Sequence, residues 1–272
     1  VKIIGTSTCD IAVAPLSANL PDIPGVCGIV PESVLPGMYG IEAGQSAVGD
    51  IFNWFVERIA PGGRRFGSHE ALTREAESLR PGESGLLALD WWNGNRTVLV
   101  DQRLTGLILG LTLTSQPAEI YRALIEATAF GARVILERLE AYGIPVRRII
   151  NCGGISAKNP MVMQIYADVL NRPVEISRST QTCALGAAMC GAVVAGRARG
   201  GPVTFAAAAR AMTGVLPKRF VPNRRHVAVY DRLYRLYRRL HDAFGLAGAA
   251  AELNEVMKEL LRLRDEVRHG VR

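Results

Sequence analysis

The hydrophobic pattern of the chain alternates between two periods. Short apolar runs bounded by glycines and polar clusters predict strands: VKII and CDIAVA around a GTST turn, then VCGIV, MYGIE, LLALDWW, LTGLILGLTLTS, the segment 147–151 and PVEIS. Stretches with apolar residues three and four apart predict helices: IFNWFVERI, SHEALTREAESL with Ser68 as its N-cap, 117–141, 160–170, 181–195, FAAAARAM and two at the C-terminus. In the first C-terminal helix, Tyr230, Leu233, Tyr237, Leu240 and Phe244 recur at helical spacing, which marks a core stripe. GGRRFGSH and PKRFVPNRR are expected as loops. Strands alternate with helices, but the first strands form a hairpin. The pattern therefore predicts an α/β domain with a mixed sheet flanked by helices, not a purely parallel one. There is no internal repeat.

Composition sharpens this picture. The 272 residues are 49% hydrophobic and only 6% aromatic, so aliphatic side chains and alanine fill the core. No apolar run reaches the length of a membrane span. The chain begins at Val1, inside a strand-like run with no signal-peptide pattern, which suggests an excised domain. Net charge is +7, but from Gly196 onward there are 16 Lys and Arg against 7 Asp and Glu. That basic surplus falls at helical spacing, as in Arg232, Arg235 and Arg239, without interleaved aromatics. It reads as a solvated helix face and not as a nucleic-acid surface. The five cysteines, Cys9, Cys27, Cys152, Cys183 and Cys190, are odd in number and not at metal-ligand spacing. They indicate a reducing cytoplasm and no metal site. Cys152, Cys183 and Cys190 sit in apolar runs and are expected to be buried.

The stretch 147–170 holds the candidate chemistry. A strand runs into Cys152, Gly153 and Gly154, and Lys158, Asn159 and Pro160 then open an amphipathic helix with Met161, Ile165, Val169 and Leu170 on its apolar side. Paired glycines let backbone approach a ligand, and a helix start favours an anion. The same layout also serves as an ordinary tight turn. The GTST turn, Gly5 to Thr8, can offer N–H and hydroxyl groups to phosphate, or be a plain hairpin turn. Glu42 precedes a glycine-containing helix start in EAGQSAVGD and is either a cap or a ligand-facing carboxylate. Gly106 and Gly110 interrupt a strand-like run, as bulges and close backbone approaches do. Glu126 and Arg133 lie inside the long helix, where an ionic or capping role is expected. No GxGxxG follows a first strand, which disfavours a dinucleotide-dependent oxidoreductase.

Taken in order, GTSTCD, GMYGIEAGQSAVGDIFNWFV, LTGLILGLTLTS, NCGGISAKNPMVMQIYADVLNRPVEI and CALGAAMCGAVVAG resemble the C-terminal domain of the FGGY carbohydrate kinases, in their ribulokinase branch. The resemblance implies an actin-like ATPase, ribonuclease H-like fold. It implies a C-terminal domain over 1–272, with a helical extension from about 226 to 272. It further implies ATP-dependent phosphorylation of L-ribulose to L-ribulose 5-phosphate, in arabinose catabolism. By the same resemblance, Gly5, Thr6, Ser7 and Thr8 face the γ-phosphate, and Gly106 and Gly110 pass near the phosphates. Gly153, Gly154, Lys158 and Asn159 border adenosine, Glu42 reaches the sugar, and the small-residue helix 181–195 adds to the ATP cleft. Mg²⁺ would be held mainly by the nucleotide and an N-terminal sugar-binding domain. That domain and the family's catalytic Asp are expected upstream of Val1, with Asp10 no substitute, so the chain alone is expected to lack kinase activity and a catalytic residue. Expected partners are the sugar, ATP and the N-terminal domain, with a homodimer allowed and neither nucleic acid nor membrane. Other readings are a D-ribulokinase, a xylulokinase or a non-catalytic actin-like nucleotide-binding module.

Overall fold

Lys2–Ile4 (β1) and Thr8–Pro15 (β2) pair antiparallel across the GTST turn, with Ile4 opposite Thr8. The computed structural model describes residues 1–61, 67–249, 253 and 256–269. Residues 62–66 of the expected loop and 250–252, 254 and 255 of the expected last helix lie outside them. β3 (Gly28–Pro31) and β4 (Met38–Ala43) extend the sheet antiparallel beyond β2. β5 (Leu87–Leu89) and β6 (Leu107–Leu109) form a separate two-stranded ribbon. β7 (Ile149–Cys152) joins β1 in parallel, β8 (Val174–Ser177) joins β7 in parallel, and β9 (Val215–Phe220) closes the far edge antiparallel. The resulting order is β3-β4-β2-β1-β7-β8-β9, the mixed sheet that the pattern predicts.

Local chemistry sets the helix ends. α1 (Gly49–Asn53) widens into a π-type turn through Ile59. α2 (His69–Glu77) starts where Ser68 Oγ accepts from Ala71 N at 3.1 Å, as predicted. α3 (Pro117–Ala141) begins with proline, whose missing N–H costs nothing in a first turn. The Glu119 carboxylate accepts from Gln116 N there at 2.8 Å, and Gly143 at φ +82° follows the last turn. α4 (Gly154–Lys158) is a single turn. α5 (Pro160–Leu170) is capped by Asn159 Oδ1, which accepts from Val162 N at 3.1 Å. α6 (Thr182–Ala195), α7 (Phe205–Met212), α8 (Arg224–Gly245) and α9 (Val256–His269) complete the chain.

The main core lies on one face of the sheet. Ile4, Ile149, Val174 and Ile176 meet α3 and α5, and α8 adds Tyr230, Leu233, Tyr237 and Leu240 to the same cluster. Each such side chain contributes about 1.5–3 kcal/mol on burial. α8 is therefore built into the core, although Phe244, the last member of the predicted stripe, is exposed. Glu126 forms a buried 2.8 Å pair with Arg122, and Arg133 bridges Glu137 and Asp231.

Two expectations are corrected. Of the expected loop 217–225, residues 217–220 belong to the strand Val215–Phe220, and Arg224 and Arg225 open α8. That strand supplies the sheet with an edge, where charged residues such as Lys218 and Arg219 can face water. Cys183 and Cys190 are exposed, and only Cys152 of the three is buried. The run looked buried because it has no charged residue. In the structure α6 lies over Ile3, Ile150 and Cys152 above a cavity of about 550 Å³, and none of its residues is buried.

Candidate functional site

The GTST hairpin and the Gly-Gly turn lie next to each other because β1 and β7 are parallel neighbours. The hairpin is fixed against the start of α1. Val48 N and Asp50 N donate to Thr6 O at 2.8 and 3.1 Å, and Gly49 N donates to Gly5 O at 3.0 Å. Gly49 has no room for a side chain, since a Cβ would lie 2.5 Å from Gly5 O. The first N–H groups of α1 thus hold the loop in place. At the other turn, Gly153 has φ +96° and ψ 170°, a conformation essentially confined to glycine, and packs on Ile4.

Between these turns and α2 opens a cavity of about 900 Å³, within the size range of small-molecule sites. Gly5 and Thr6, then Gly154, Lys158 and Asn159, and α2 through His69, Thr73 and Glu77 all line it. Phe52, Tyr121 and Ile155 give it apolar surface. Lys158 and Arg74 bring positive charge, and Asp50, Glu70 and Glu77 negative charge.

Hydrogen bonds brace the cavity. Asn159 Nδ2 donates to Thr73 Oγ1 at 3.2 Å. The Tyr121 hydroxyl lies 3.1 Å from His69 Nδ1. His69 Nε2 faces Asn53 Oδ1 at 3.5 Å. Burial lowers the pKa of His69, only partly opposed by the Glu57 carboxylate, so the ring stays neutral near pH 7. Burial likewise raises the Tyr121 pKa and keeps its hydroxyl protonated.

Of the residues singled out from sequence, Gly5, Thr6, Gly154, Lys158 and Asn159 line this one cavity, and Gly153 shapes the turn beside it. Ser7 is not on its wall, and Thr8 is buried behind the loop. Gly106 lies under the Trp92 ring and Gly110, at φ +97°, against Gly85 O, so close packing at the two ends of β6 leaves no room for a side chain at either. Neither these two nor α6 lines the cavity. Glu42 is exposed on β4, away from the cavity, where Cys9 Sγ donates to its Oε1 at 3.5 Å. Burial, followed by the Glu42 charge, pushes the Cys9 thiol up to about 11, so it remains a donor. Both Asp10 oxygens accept from Lys2 Nζ at 2.8 Å, which commits that carboxylate to an ion pair. Among the described residues no group of three or more His, Cys, Asp or Glu side chains is placed to hold a metal.

Sequence reasoning missed the α2 wall. The signal was present: His69, Thr73 and Glu77 are four residues apart, opposite buried Leu72 and Ala76. A polar stripe of that kind reads as a solvent face unless its partner is known.

A family model described as the C-terminal domain of the FGGY family of carbohydrate kinases matches residues 1–195. The chain is 48% identical to a ribulokinase of Anoxybacillus flavithermus and 46% identical to one of Geobacillus thermodenitrificans, over 98% of the chain and 47% of each relative. It spans about half the length of these curated relatives. Among solved structures, it superposes on a xylulose kinase from Rhodospirillum rubrum with TM-score 0.75 and 25% identity, over 89% of this chain and 46% of that one. It also shares the fold of a Plasmodium falciparum glycerol kinase solved with ADP, with TM-score 0.68 and 16% identity, over 91% of this chain and 47% of that one.

Proposed function

The chain belongs to the FGGY family of carbohydrate kinases, and from that premise we propose that the cavity between the GTST loop and α2 is its ATP site. The observation that carries this reading is the convergence of two segments far apart in sequence, Gly5–Thr6 and Gly154–Asn159, on one cavity. In this reading the flat base lies among Phe52, Tyr121, Ile155 and Thr73. The phosphates extend toward Gly5 and Thr6, with Lys158 on the rim. Small residues at the loop and turn allow close backbone approach.

We further propose that the chain is the nucleotide-binding half of a ribulokinase that transfers the ATP γ-phosphoryl group to L-ribulose, giving L-ribulose 5-phosphate and ADP. The identity to ribulokinases over 98% of the chain supports this substrate. Glu42, with Cys9 as its donor, is assigned to a sugar hydroxyl. Such transfer depends mostly on positioning and charge stabilisation. This chain contributes a braced nucleotide wall and a loop held rigid by α1. With no metal cage among its described residues, Mg²⁺ would enter with the nucleotide phosphates, and Asp50, whose backbone N–H bonds Thr6 O, is a carboxylate on the same wall. The metal neutralises phosphate charge when bound. Five free thiols fit a reducing cytoplasm.

The test is sugar-dependent ADP release by the full-length protein with L-ribulose, D-ribulose and D-xylulose. L-Ribulose should give the highest kcat/KM. A higher value for D-xylulose would overturn the substrate assignment, and no release with any sugar would overturn the kinase reading.

A further inference from the structure

Thr8 closes the GTST loop and is buried. Gln45 grips it from behind. Thr8 N donates to Gln45 O at 3.1 Å, Gln45 N donates to Thr8 Oγ1 at 2.9 Å, and that hydroxyl faces Gln45 Oε1 at 3.4 Å. Arg96 Nη2 adds a donor to Thr8 O at 2.6 Å. Gln45 Nε2 donates to Asp90 Oδ2 at 2.7 Å and to Thr128 O at 2.8 Å. The other Asp90 oxygen accepts from the Tyr237 hydroxyl at 2.8 Å. Thr8, Gln45, Asp90 and Tyr237 are each at most 4% exposed.

This chain of bonds has a single polarity. Burial raises the Asp90 pKa, opposed by the hydrogen bonds from Gln45 and Tyr237, and each of its two oxygens accepts one of them. Gln45 must then point its NH₂ at Asp90 and Thr128 O, which leaves its oxygen for Thr8 and for Lys2 Nζ at 3.4 Å. Burial pushes the Tyr237 hydroxyl well above its usual pKa, and the Asp90 charge pushes it further, so it stays a donor. α3 makes space for the pair with Gly131, where a Cβ would lie 2.3 Å from Asp90 Oδ2 and 2.7 Å from Gln45 Nε2. An unsatisfied buried group is costly, so a change at one end passes to the next bond.

Tyr237 lies on α8, beyond the residues matched by the family model, and none of Gln45, Asp90 and Tyr237 lines the cavity. We propose that α8 sets the conformation of the GTST loop through the buried chain Tyr237–Asp90–Gln45–Thr8, making these positioning residues for the nucleotide phosphates. The proposal rests on the reading of the cavity as the ATP site.

Tyr237→Phe is the test, because it removes one hydroxyl and keeps the ring beside Phe130 and Tyr234. Two quantities are measured at a temperature where wild type and variant are both folded. The first is amide hydrogen exchange of residues 5–8 without nucleotide, which should be faster in the variant. The second is ATP affinity, which should fall about fivefold or more, with the sugar KM unchanged. Asp90→Asn should do the same, and combining it with Tyr237→Phe should add little further loss. Unchanged exchange at 5–8 in both variants overturns the proposal, whatever the nucleotide result. Faster exchange with unchanged ATP affinity overturns the link to the phosphates. If the wild-type protein does not bind ATP, the site reading fails and the proposal fails with it.

Discussion

Replacing Gly154 with valine separates the nucleotide reading from ordinary turn chemistry. A Cβ at Gly154 would meet nothing within 4 Å, and the residue lines the cavity at the start of α4. The fold therefore has no steric reason to object, and leaving glycine in a helical turn recovers about 0.5 kcal/mol of propensity. The isopropyl group enters the space assigned to ATP. Overpacking of this kind costs about 1–3 kcal/mol, equivalent to roughly 5- to 150-fold in affinity. Calorimetric titration with ATP should show that loss, with Tm within about 2 °C of wild type. Gly153→Ala is the contrasting control. Its Cβ would lie 2.4 Å from the backbone oxygen of Ile4, at a φ of +96°. Neither can relax cheaply, so about 2–3 kcal/mol of stability should be lost, lowering Tm by roughly 4–10 °C. A folded Gly154→Val variant with wild-type ATP affinity would remove the turn from the nucleotide site. An unchanged Tm in Gly153→Ala would refute the backbone argument.

Three further outcomes are expected. Glu42→Ala in the full-length protein should raise the sugar KM about tenfold or more, the scale of one lost charged hydrogen bond, while the ATP KM stays within about twofold; steady-state kinetics showing the reverse would take Glu42 out of the sugar site. Glu126→Leu leaves the Arg122 charge buried without its 2.8 Å partner and should cost about 3–5 kcal/mol in urea unfolding. Arg122→Met/Glu126→Leu should be the more stable of the two variants, and the opposite order would show that Ala76 O and the Tyr230 hydroxyl satisfy Arg122 without Glu126. Burial depresses the pKa of His69 and of His241 from the usual 6.5. The unfolded chain then binds protons more readily, so stability is full above about pH 6.5 and falls as pH drops below it. Denaturation at pH 7.5 and 5.5 should show this, and His69→Gln should flatten the profile; an identical profile in the variant would refute the His69 contribution.

Much of the fold was legible because periodicity was strong. The bounds of α3 and α5 follow from Pro117, Pro160 and Asn159, local signals that no tertiary contact overrode. β9 was not legible, since Arg219 finds its counterpart only once Glu175 of β8 lies opposite. Half of the site was visible for a related reason. Gly153 carries a backbone constraint in its own φ of +96°, and Gly5 and Gly154 are small residues whose neighbourhood along the chain already suggested an open turn. The α2 wall and the Tyr237–Asp90–Gln45 chain depend on residues brought together by the tertiary fold, and nothing in a single segment encodes them.

The exposed helix α6 has a practical consequence for handling the protein. Its fourteen residues, TCALGAAMCGAVVA, carry no charge and none is buried. Encounters between two such helices are attractive, because water is released from apolar surface on contact. What keeps molecules apart is the net charge of +7. That repulsion reaches about 10 Å at 0.1 M salt and about 3 Å at 1 M, whereas apolar attraction does not weaken with added salt. Solutions of this protein should accordingly clear at low ionic strength and cloud as salt is raised, the reverse of a protein held in association by ion pairs.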